Sequence, residues 1–166
     1  MLIDAAADLP DAAVVLIGGA GQGLGELQAQ LSARGLAGKV HMLGAVADED
    51  LPSYFEACDV FCLPSIARSE AYGVAMIEAM LMARPVVATE IDGSGVPWVN
   101  KDGQTGINVP VGKPLALARA LQTLLQDAPL RERYGAAARK RYLQEFSAEL
   151  MTRRTLELYR HLLGAS

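Results

Sequence analysis

Short apolar runs alternate with helical segments along the first two thirds of the chain. Five runs bounded by glycine, proline or aspartate are typical of buried parallel strands: residues 13–17, 40–43, 59–63, 85–88 and 106–109. The spacing of apolar residues predicts helices over residues 22–34, 48–57, 72–83, 114–127, 130–145 and 148–163. This alternation predicts an α/β fold with a parallel sheet of about five strands and helices on both faces.

The loops at one edge of this sheet are the expected place for a ligand. Open parallel sheets bind ligands outside the carboxyl ends of their strands. Four loops follow predicted strands there and are rich in glycine, proline, serine or acids: residues 18–25, 44–48, 64–73 and 89–97. The chain itself opens on an alanine-rich helical stretch that ends at Pro10. Since an α/β domain usually opens on a strand, we expect the domain to be incomplete.

Composition indicates a folded domain of ordinary size. The 166 residues are 51% hydrophobic and 20% charged, a balance that excludes intrinsic disorder, and aromatics at 5% predict an aliphatic core. No apolar run reaches the ~18 residues of a membrane span, and the acidic N-terminal segment does not resemble a signal peptide. We therefore expect a cytoplasmic protein in which Cys58 and Cys62 are buried, reduced thiols. Without further Cys or His ligands nearby, no metal site is expected.

The net charge of −4 is unevenly distributed. Residues 131–166 contain eight basic residues and four acids, so the remainder of the chain is strongly acidic. Solvated helix faces explain this segment most simply, and an anionic partner or a membrane surface is the alternative. The acidic remainder disfavours nucleic acid as a partner.

Two glycine-containing loops differ in what they indicate. The glycines of residues 18–25 fit neither a dinucleotide fingerprint nor a Walker A loop. In the loop 64–73, Gly73 precedes an apolar helix and would let an anion approach its first-turn amides. Glu70 lies before those amides, and Glu78 lies ~7.5 Å further along the helix axis. This order of carboxylate, anion site and carboxylate matches the sugar, diphosphate and ribose of a nucleotide sugar. The alternative is that Glu78 simply faces solvent.

The segment 70–78, E-A-Y-G-V-A-M-I-E, resembles the E-x7-E motif of retaining glycosyltransferases with the two-domain GT-B fold, most closely family 4. Other segments resemble the family's motifs in the same order. They are residues 40–44 (V-x-F-L-G), 57–65 (A-D-V-x-x-x-P-S), 78–87 (E-A-M-A-x-G-x-P-V-V) and 102–106 (D-G-x-T-G). The resemblance covers essentially the whole chain and implies the Rossmann-like C-terminal half of the GT-B fold.

The resemblance also implies roles for the residues around the two glutamates. Glu70 would hydrogen-bond hydroxyls of the donor sugar and would position it for transfer without acting as a covalent nucleophile. Backbone amides near Tyr72, Gly73 and Val74 would hold the diphosphate, and Glu78 would bind the ribose hydroxyls. Helix amides and basic residues would neutralise the leaving diphosphate, so no metal or other cofactor is expected.

Further contacts would come from neighbouring loops. The nucleotide base would lie against three residues at the end of the second strand, Gly44, Ala45 and Val46. Gly18 and Gly19 would border the cleft. Arg68 is a candidate phosphate ligand, and solvation on an exposed loop is its alternative.

The chain departs from the family in three places. Ala83 stands where the family prefers glycine, so the end of the helix would differ. Trp98 replaces an acid, and either packs the loop or contacts donor or acceptor. The resemblance also implies that residues 1–166 form one N-terminally truncated domain, closed by the helices of residues 114–166. This domain would lack its first, central strand and its phosphate-gripping basic loop. We expect one of three outcomes: the gap closes, a second copy pairs there and the chain self-associates, or residues 1–10 rearrange.

The leading hypothesis is therefore the donor-binding half of a retaining glycosyltransferase. It would use a UDP- or GDP-sugar and a saccharide or glycolipid acceptor, in bacterial surface polysaccharide synthesis at the inner face of the membrane. Without the acceptor-binding N-terminal domain, the chain would be nearly inactive alone. One alternative is a stand-alone nucleotide or nucleotide-sugar binding module. Another is a structural domain whose basic C-terminal helices dock a partner or a membrane.

Overall fold

The computed structural model describes residues 1–164 and contains five strands and eight helices. The strands are β1 (Val15–Gly18), β2 (Val40–Gly44), β3 (Phe61–Leu63), β4 (Val86–Glu90) and β5 (Gly106–Pro110). The helices are α1 (Leu2–Ala6), α2 (Leu24–Ala33), α3 (Leu51–Ala57), α4 (Val74–Leu81), α5 (Val96–Val99), α6 (Pro114–Gln126), α7 (Ala128–Glu145) and α8 (Ala148–Leu163). All five predicted strands and all six predicted helices are confirmed, whereas the short α5 was missed. The last two residues of the predicted closing segment, 165 and 166, lie outside the described part.

The strands are all parallel but form two sheets. β1 pairs with β2, and β4 lies between β3 and β5. Within the described residues β1 and β3 do not pair, so the first expected outcome, closure of the gap, is wrong. Residues 1–10 contain α1 and a turn and supply no strand there. The division falls where the family resemblance predicts a further strand, and Leu16 on β1 is 47% exposed.

Helices cover both faces of β4. On one face, Val87 belongs to an aliphatic cluster with Leu117, Leu121 and Leu124 of α6. On the other, alternate residues of the strand pack with α4 and α7 in a second cluster that includes Val86, Ala88, Met76, Met80 and Ala138. Because alternate residues of a strand point to opposite faces, the continuous apolar sequence of β4 buries its side chains on both. This confirms the predicted layers and the predicted aliphatic core.

The turn before β5 is fixed by a buried polar network. Asn100, fully buried, donates from Nδ2 to the Val86 carbonyl (3.2 Å) and to Asn108 Oδ1 (2.8 Å). The Thr105 hydroxyl donates to Asn100 Oδ1 (2.8 Å). Gly106 lies so close to β4 that an added Cβ would stand 1.8 Å from the Val86 carbonyl oxygen. The D-G-x-T-G segment therefore has a structural explanation: it joins α5 to β5 and leaves no room for a side chain at Gly106.

The closing helices differ in burial. α7 packs on α4 so closely that a Cβ at Gly135 would lie 2.1 Å from the Ala83 carbonyl oxygen. α8 contains no buried residue and exposes an apolar set: Met151, Leu156, Leu158, Tyr159, Leu162 and Leu163. Among the described residues, no helix combines the length and apolar character needed to cross a membrane.

Candidate functional site

The loops after β3 and β4 are joined at the carboxyl edge of the three-stranded sheet. We call residues 64–73 the β3 loop and residues 91–95 the β4 loop. The backbone N–H of Gly95 donates to the Ala71 carbonyl (2.7 Å), and the Ser94 hydroxyl donates to the Glu70 carbonyl (2.6 Å). At the base of the β3 loop, the buried Thr89 hydroxyl donates to the Ser65 carbonyl. The two loops therefore form one hydrogen-bonded unit.

The loops after β1 and β2 form a second unit. The Gly19 N–H donates to the Gly44 carbonyl (2.7 Å), and a Cβ at Gly18 would lie 3.2 Å from the Val46 side chain. The structure therefore places Gly18 and Gly19 against Gly44 and Val46, and the predicted roles of these residues toward a donor remain predictions. No hydrogen bond among the described residues joins this unit to the β3 and β4 loops.

Gly73 begins α4 in a conformation that only glycine adopts readily. Its φ is +74°, and an added Cβ would lie 2.5 Å from Met76 Cε and 3.0 Å from Leu63 Cδ2. The left-handed backbone turns the β3 loop sharply into the helix. The first-turn N–H groups of a helix have no intrahelical partners and carry partial positive charge, so this is a site where an anion is stabilised.

Glu70 provides such an anion in this structure. One carboxylate oxygen accepts the Gly73 N–H (2.9 Å), and the other accepts the Ser65 hydroxyl at 3.4 Å. Sequence reasoning placed Glu70 near a donor sugar and left the Gly73 amide to a diphosphate. Here the glutamate and that amide are bonded to each other, so a diphosphate at Gly73 would have to displace the carboxylate. The predicted roles of both residues remain predictions.

Glu78 lies on the exposed face of α4. Val74, four residues earlier and 63% exposed, shares that face, while Met76, Ala79 and Met80 are buried. The apolar sequence of residues 72–83 is typical of a helix buried on nearly all sides, whereas the structure exposes one face of α4, with Val74 and Glu78. Solvent exposure of Glu78 agrees with the simpler of its two interpretations and also leaves the carboxylate accessible to a ligand.

Arg68 is exposed and is held against the β4 loop. Its Nε donates to the Gly93 carbonyl (3.2 Å), and a Cβ at Gly93 would lie 2.7 Å from its guanidinium carbon. The guanidinium thus packs on a glycine that leaves room for it. The structure assigns Arg68 a contact between loops, and its predicted role toward phosphate remains a prediction.

An aromatic cluster lies beside the β3 loop. Tyr72 contacts Trp98 of α5 and Phe146 after α7, with ring centroids 5.9 and 6.1 Å away, and Arg141 lies over Trp98. Burial raises the pKa of the Tyr72 hydroxyl; Arg141 opposes this shift and Glu145 adds to it. The packing interpretation of Trp98 describes what the structure shows. Sequence reasoning missed Arg141 and Phe146, because both lie about 45 residues beyond Trp98 and no local pattern connects them.

Other features of this region complete the description. Burial raises the pKa of the Cys62 thiol on β3 to about 12 and also raises that of Cys58, so both free thiols stay protonated near neutral pH.

An open cavity of about 400 Å³ lies next to the β4 loop, lined by Glu90, Ile91, Asp92, Gly93, Ser94, Pro97, Pro110 and Val111. Residues 1–164 contain no cluster of three or more His, Cys, Asp or Glu side chains arranged to hold a metal.

The chain is similar to a protein family and to curated proteins. The model of a family described as glycosyl transferases group 1 matches residues 1–141. The D-rhamnosyltransferase WbpZ of Pseudomonas aeruginosa is 40% identical over 134 residues, which are 81% of this chain and 35% of WbpZ. The O-antigen chain mannosyltransferase C of Escherichia coli is 34% identical over 165 residues, 98% of this chain and 43% of that protein. The chain thus spans well under half the length of these relatives.

Solved structures share the fold. Anabaena Alr3699/HepE in complex with UDP-glucose superposes with a TM-score of 0.87 at 27% identity, over 96% of this chain and 44% of that protein. Sucrose-phosphate synthase from Thermosynechococcus elongatus superposes with a TM-score of 0.89 at 28% identity, over 99% of this chain and 42% of the synthase. The fold of this chain is therefore found in these longer proteins as one part.

Proposed function

The chain belongs to the glycosyl transferases group 1 family, and we propose that it is the donor-binding half of a retaining glycosyltransferase of family 4. The whole enzyme would transfer a sugar from a nucleotide diphosphate sugar, with UDP or GDP as the nucleotide, to a saccharide or glycolipid acceptor. Two observations support this assignment. Relatives include rhamnosyl- and mannosyltransferases, one of them for O-antigen chains, and the structurally similar HepE was solved with UDP-glucose. We further propose a role in bacterial surface polysaccharide synthesis.

The start of α4 carries the proposal. Gly73, which has no side chain, begins the N-terminal turn, and the Glu70 carboxylate accepts a hydrogen bond from its amide. Glu78 is exposed one and a half turns further along the same helix. A carboxylate at one end, an anion-stabilising helix N-terminus and a second accessible carboxylate correspond to the sugar, the diphosphate and the ribose of one ligand.

Binding would exchange one anion for another. A diphosphate at the first turn of α4 would accept the Gly73 N–H and neighbouring amides, including that of Val74. The Glu70 carboxylate, released from the amide, would accept hydrogen bonds from sugar hydroxyls. In this proposal Glu70 positions the donor, the attack takes place on the face from which the diphosphate leaves, and the helix amides stabilise the negative charge that develops on the leaving group.

A separate acceptor-binding half is the main proposed partner. The chain spans 35% and 43% of two relatives, so most of each relative lies outside the matched region. α8 exposes Leu158, Leu162 and Leu163 at 54%, 70% and 81%, which provides an apolar surface for that half to cover. Because transfer needs the acceptor held in line with the donor, we expect the isolated chain to be nearly inactive. Peripheral contact with a membrane is an alternative role for the apolar surface of α8. The edges of β1 and β3, which do not pair with each other, are where a second copy of the chain would associate.

A calorimetric titration tests the donor site. The chain is titrated with UDP, GDP and ADP, and the best ligand is then tested on Glu78→Gln and on Glu132→Gln, a control at an exposed acid of α7. The ribose hydroxyls would donate to a neutral amide oxygen instead of a charged carboxylate, which should weaken binding by about tenfold in Glu78→Gln and leave the control unchanged. Equal affinities of wild type and Glu78→Gln would contradict the ribose role.

A stand-alone nucleotide-sugar binding module is the second candidate function. It is favoured by one observation: the proposed sugar, diphosphate, ribose and base contacts all lie on this chain. A transfer assay distinguishes the two candidates, with the chain alone compared with a longer protein that carries an acceptor half. Comparable turnover by the two would contradict the claim that this chain is one half of an active site.

A further inference from the structure

Three aromatic rings form a continuous cluster next to Glu70. Tyr72, Trp98 and Phe146 have ring centroids 5.4 to 6.1 Å apart, and the three come from the β3 loop, α5 and the end of α7. Two of the contacts are edge-to-face, an arrangement that rings prefer. The cluster therefore connects the loop that contains Glu70 to two elements far away in sequence.

Arg141 holds this cluster from the α7 side. Its Nε donates to the Val99 carbonyl (3.1 Å) and its Nη2 to the Trp98 carbonyl (2.8 Å). The guanidinium carbon also lies 5.2 Å from the ring centroids of both Trp98 and Phe146. One planar cation therefore binds the last carbonyls of α5 and stacks near two rings, a combination that the single ammonium of lysine cannot reproduce.

The segment fixed in this way holds the backbone of the β3 loop. Gly95, three residues before Trp98, donates its N–H to the Ala71 carbonyl at 2.7 Å. A Cβ at Gly95 would lie 2.8 Å from that same oxygen, so the two backbones are in close contact. The Ser94 hydroxyl binds the Glu70 carbonyl. The two peptide units that flank Ala71, the first of which carries the Glu70 carbonyl, are thus attached to the segment that Arg141 and Trp98 anchor.

We propose that Trp98 and Arg141 are positioning residues that hold the β3 loop so that the Glu70 carboxylate faces the donor sugar. This inference rests on the proposed function and adds residues to it. Among the described residues, no hydrogen bond joins Trp98 or Arg141 to the first turn of α4. Loosening the cluster should therefore impair recognition of the sugar and leave recognition of the nucleotide diphosphate nearly unchanged.

The test compares UDP with UDP-glucose as calorimetric probes of the full chain. In Trp98→Ala the affinity for UDP-glucose should fall by about tenfold, or about 1.4 kcal/mol, while the affinity for UDP changes by less than about twofold. Trp98→Phe keeps a ring and should recover most of the loss. Arg141→Lys should show the same selective loss as Trp98→Ala, and the matched control Arg139→Lys, at an exposed position on the same helix, should show none.

A second readout needs no ligand. Amide hydrogen exchange of Glu70 and Ala71 should accelerate in Trp98→Ala and in Arg141→Lys, with the wild-type rate kept in Trp98→Phe and Arg139→Lys. If Trp98→Ala fails to fold, Arg141→Lys carries the test alone. Failure of wild type to bind UDP-glucose, UDP or GDP would contradict the proposed function, while the exchange measurement would still decide whether the cluster holds the loop. Parallel losses for UDP and UDP-glucose, or unchanged exchange in both variants, would overturn the positioning role.

Discussion

Replacing Ala83 with glycine should stabilise the chain. Ala83 follows the end of α4 with φ +55° and is the only non-glycine residue with positive φ among those described. Its N–H donates to the Met80 carbonyl and the Arg84 N–H to the Ala79 carbonyl, both at 3.0 Å. This pair of bonds defines a Schellman motif, whose left-handed position normally belongs to glycine.

The magnitude follows from two opposing contributions. An L-residue in the left-handed region costs roughly 1–2 kcal/mol, and Ala83→Gly removes that cost. The unfolded chain gains freedom with a glycine, which costs about 0.5–1 kcal/mol. The net stabilisation should be about 1 kcal/mol, corresponding to a rise in Tm of roughly 2–4 °C for a chain of this size.

Thermal and urea denaturation of Ala83→Gly and a matched variant provide the assay. Ala136→Gly makes the same substitution at an exposed interior position of α7, where it should destabilise the chain by about 1 kcal/mol. Opposite signs for the two variants would support the reasoning. A fall in Tm for Ala83→Gly equal to that of Ala136→Gly would refute it.

Three further predictions concern the core. Gly106→Ala should lower the free energy of unfolding by more than ~3 kcal/mol, because the new Cβ would clash with the Val86 carbonyl. Urea denaturation measures this loss against the control Gly38→Ala, where a Cβ has open space, and equal losses in the two variants would contradict the prediction. Asn100→Ala should lower the free energy of unfolding by about 3 kcal/mol, because the Val86 carbonyl and the Thr105 hydroxyl lose their partner. A loss below about 1 kcal/mol in urea denaturation would contradict a stabilising role of this network. The Cys62 thiol, with its pKa near 12, should alkylate more than ~100-fold faster after unfolding in urea at pH 8, measured by peptide mass spectrometry; equal native and unfolded rates would contradict this burial effect.

Local sequence pattern was sufficient for most of the fold. The strand β4 is a run of valine and alanine buried on both faces, and such runs predict central parallel strands directly. The closing helix α8 begins and ends where its apolar spacing predicted, with Ser147 accepting the Leu150 N–H at its start. The ends of such segments can be predicted from nearby residues, because capping residues and periodicity are local features of the sequence.

The pairing between strands was harder to predict from the sequence. Nothing in the sequence of Val15–Gly18 states whether its free edge meets β3, and the structure leaves the two unpaired. Strand order depends on what fills the space between elements, and only the family resemblance located the gap. The short α5 was missed for a related reason, since four residues are too few to show a helical period.

In the candidate site, too, some features could be predicted from the sequence and others could not. Sequence pattern located Gly73 at the start of an apolar helix and Glu78 within it, and solvent exposure of Glu78 was one of its two interpretations. The bond from the Gly73 amide to Glu70 and the stacking of Arg141 on Trp98 do not follow from the sequence. Both depend on side-chain rotamers and on contacts between distant segments, which spacing along the chain does not encode.

A titration followed by amide NMR shifts tests the donor site most directly. The ¹⁵N-labelled chain, titrated with UDP or GDP, whichever binds more tightly, should show its largest shifts at the amides of Gly73, Val74 and Ala75, where the diphosphate would replace the Glu70 carboxylate. Smaller shifts should follow at residues 44–46, where the base would lie. Shifts confined to residues 90–94, beside the cavity next to the β4 loop, or none at the start of α4 with either nucleotide at saturation, would contradict the account.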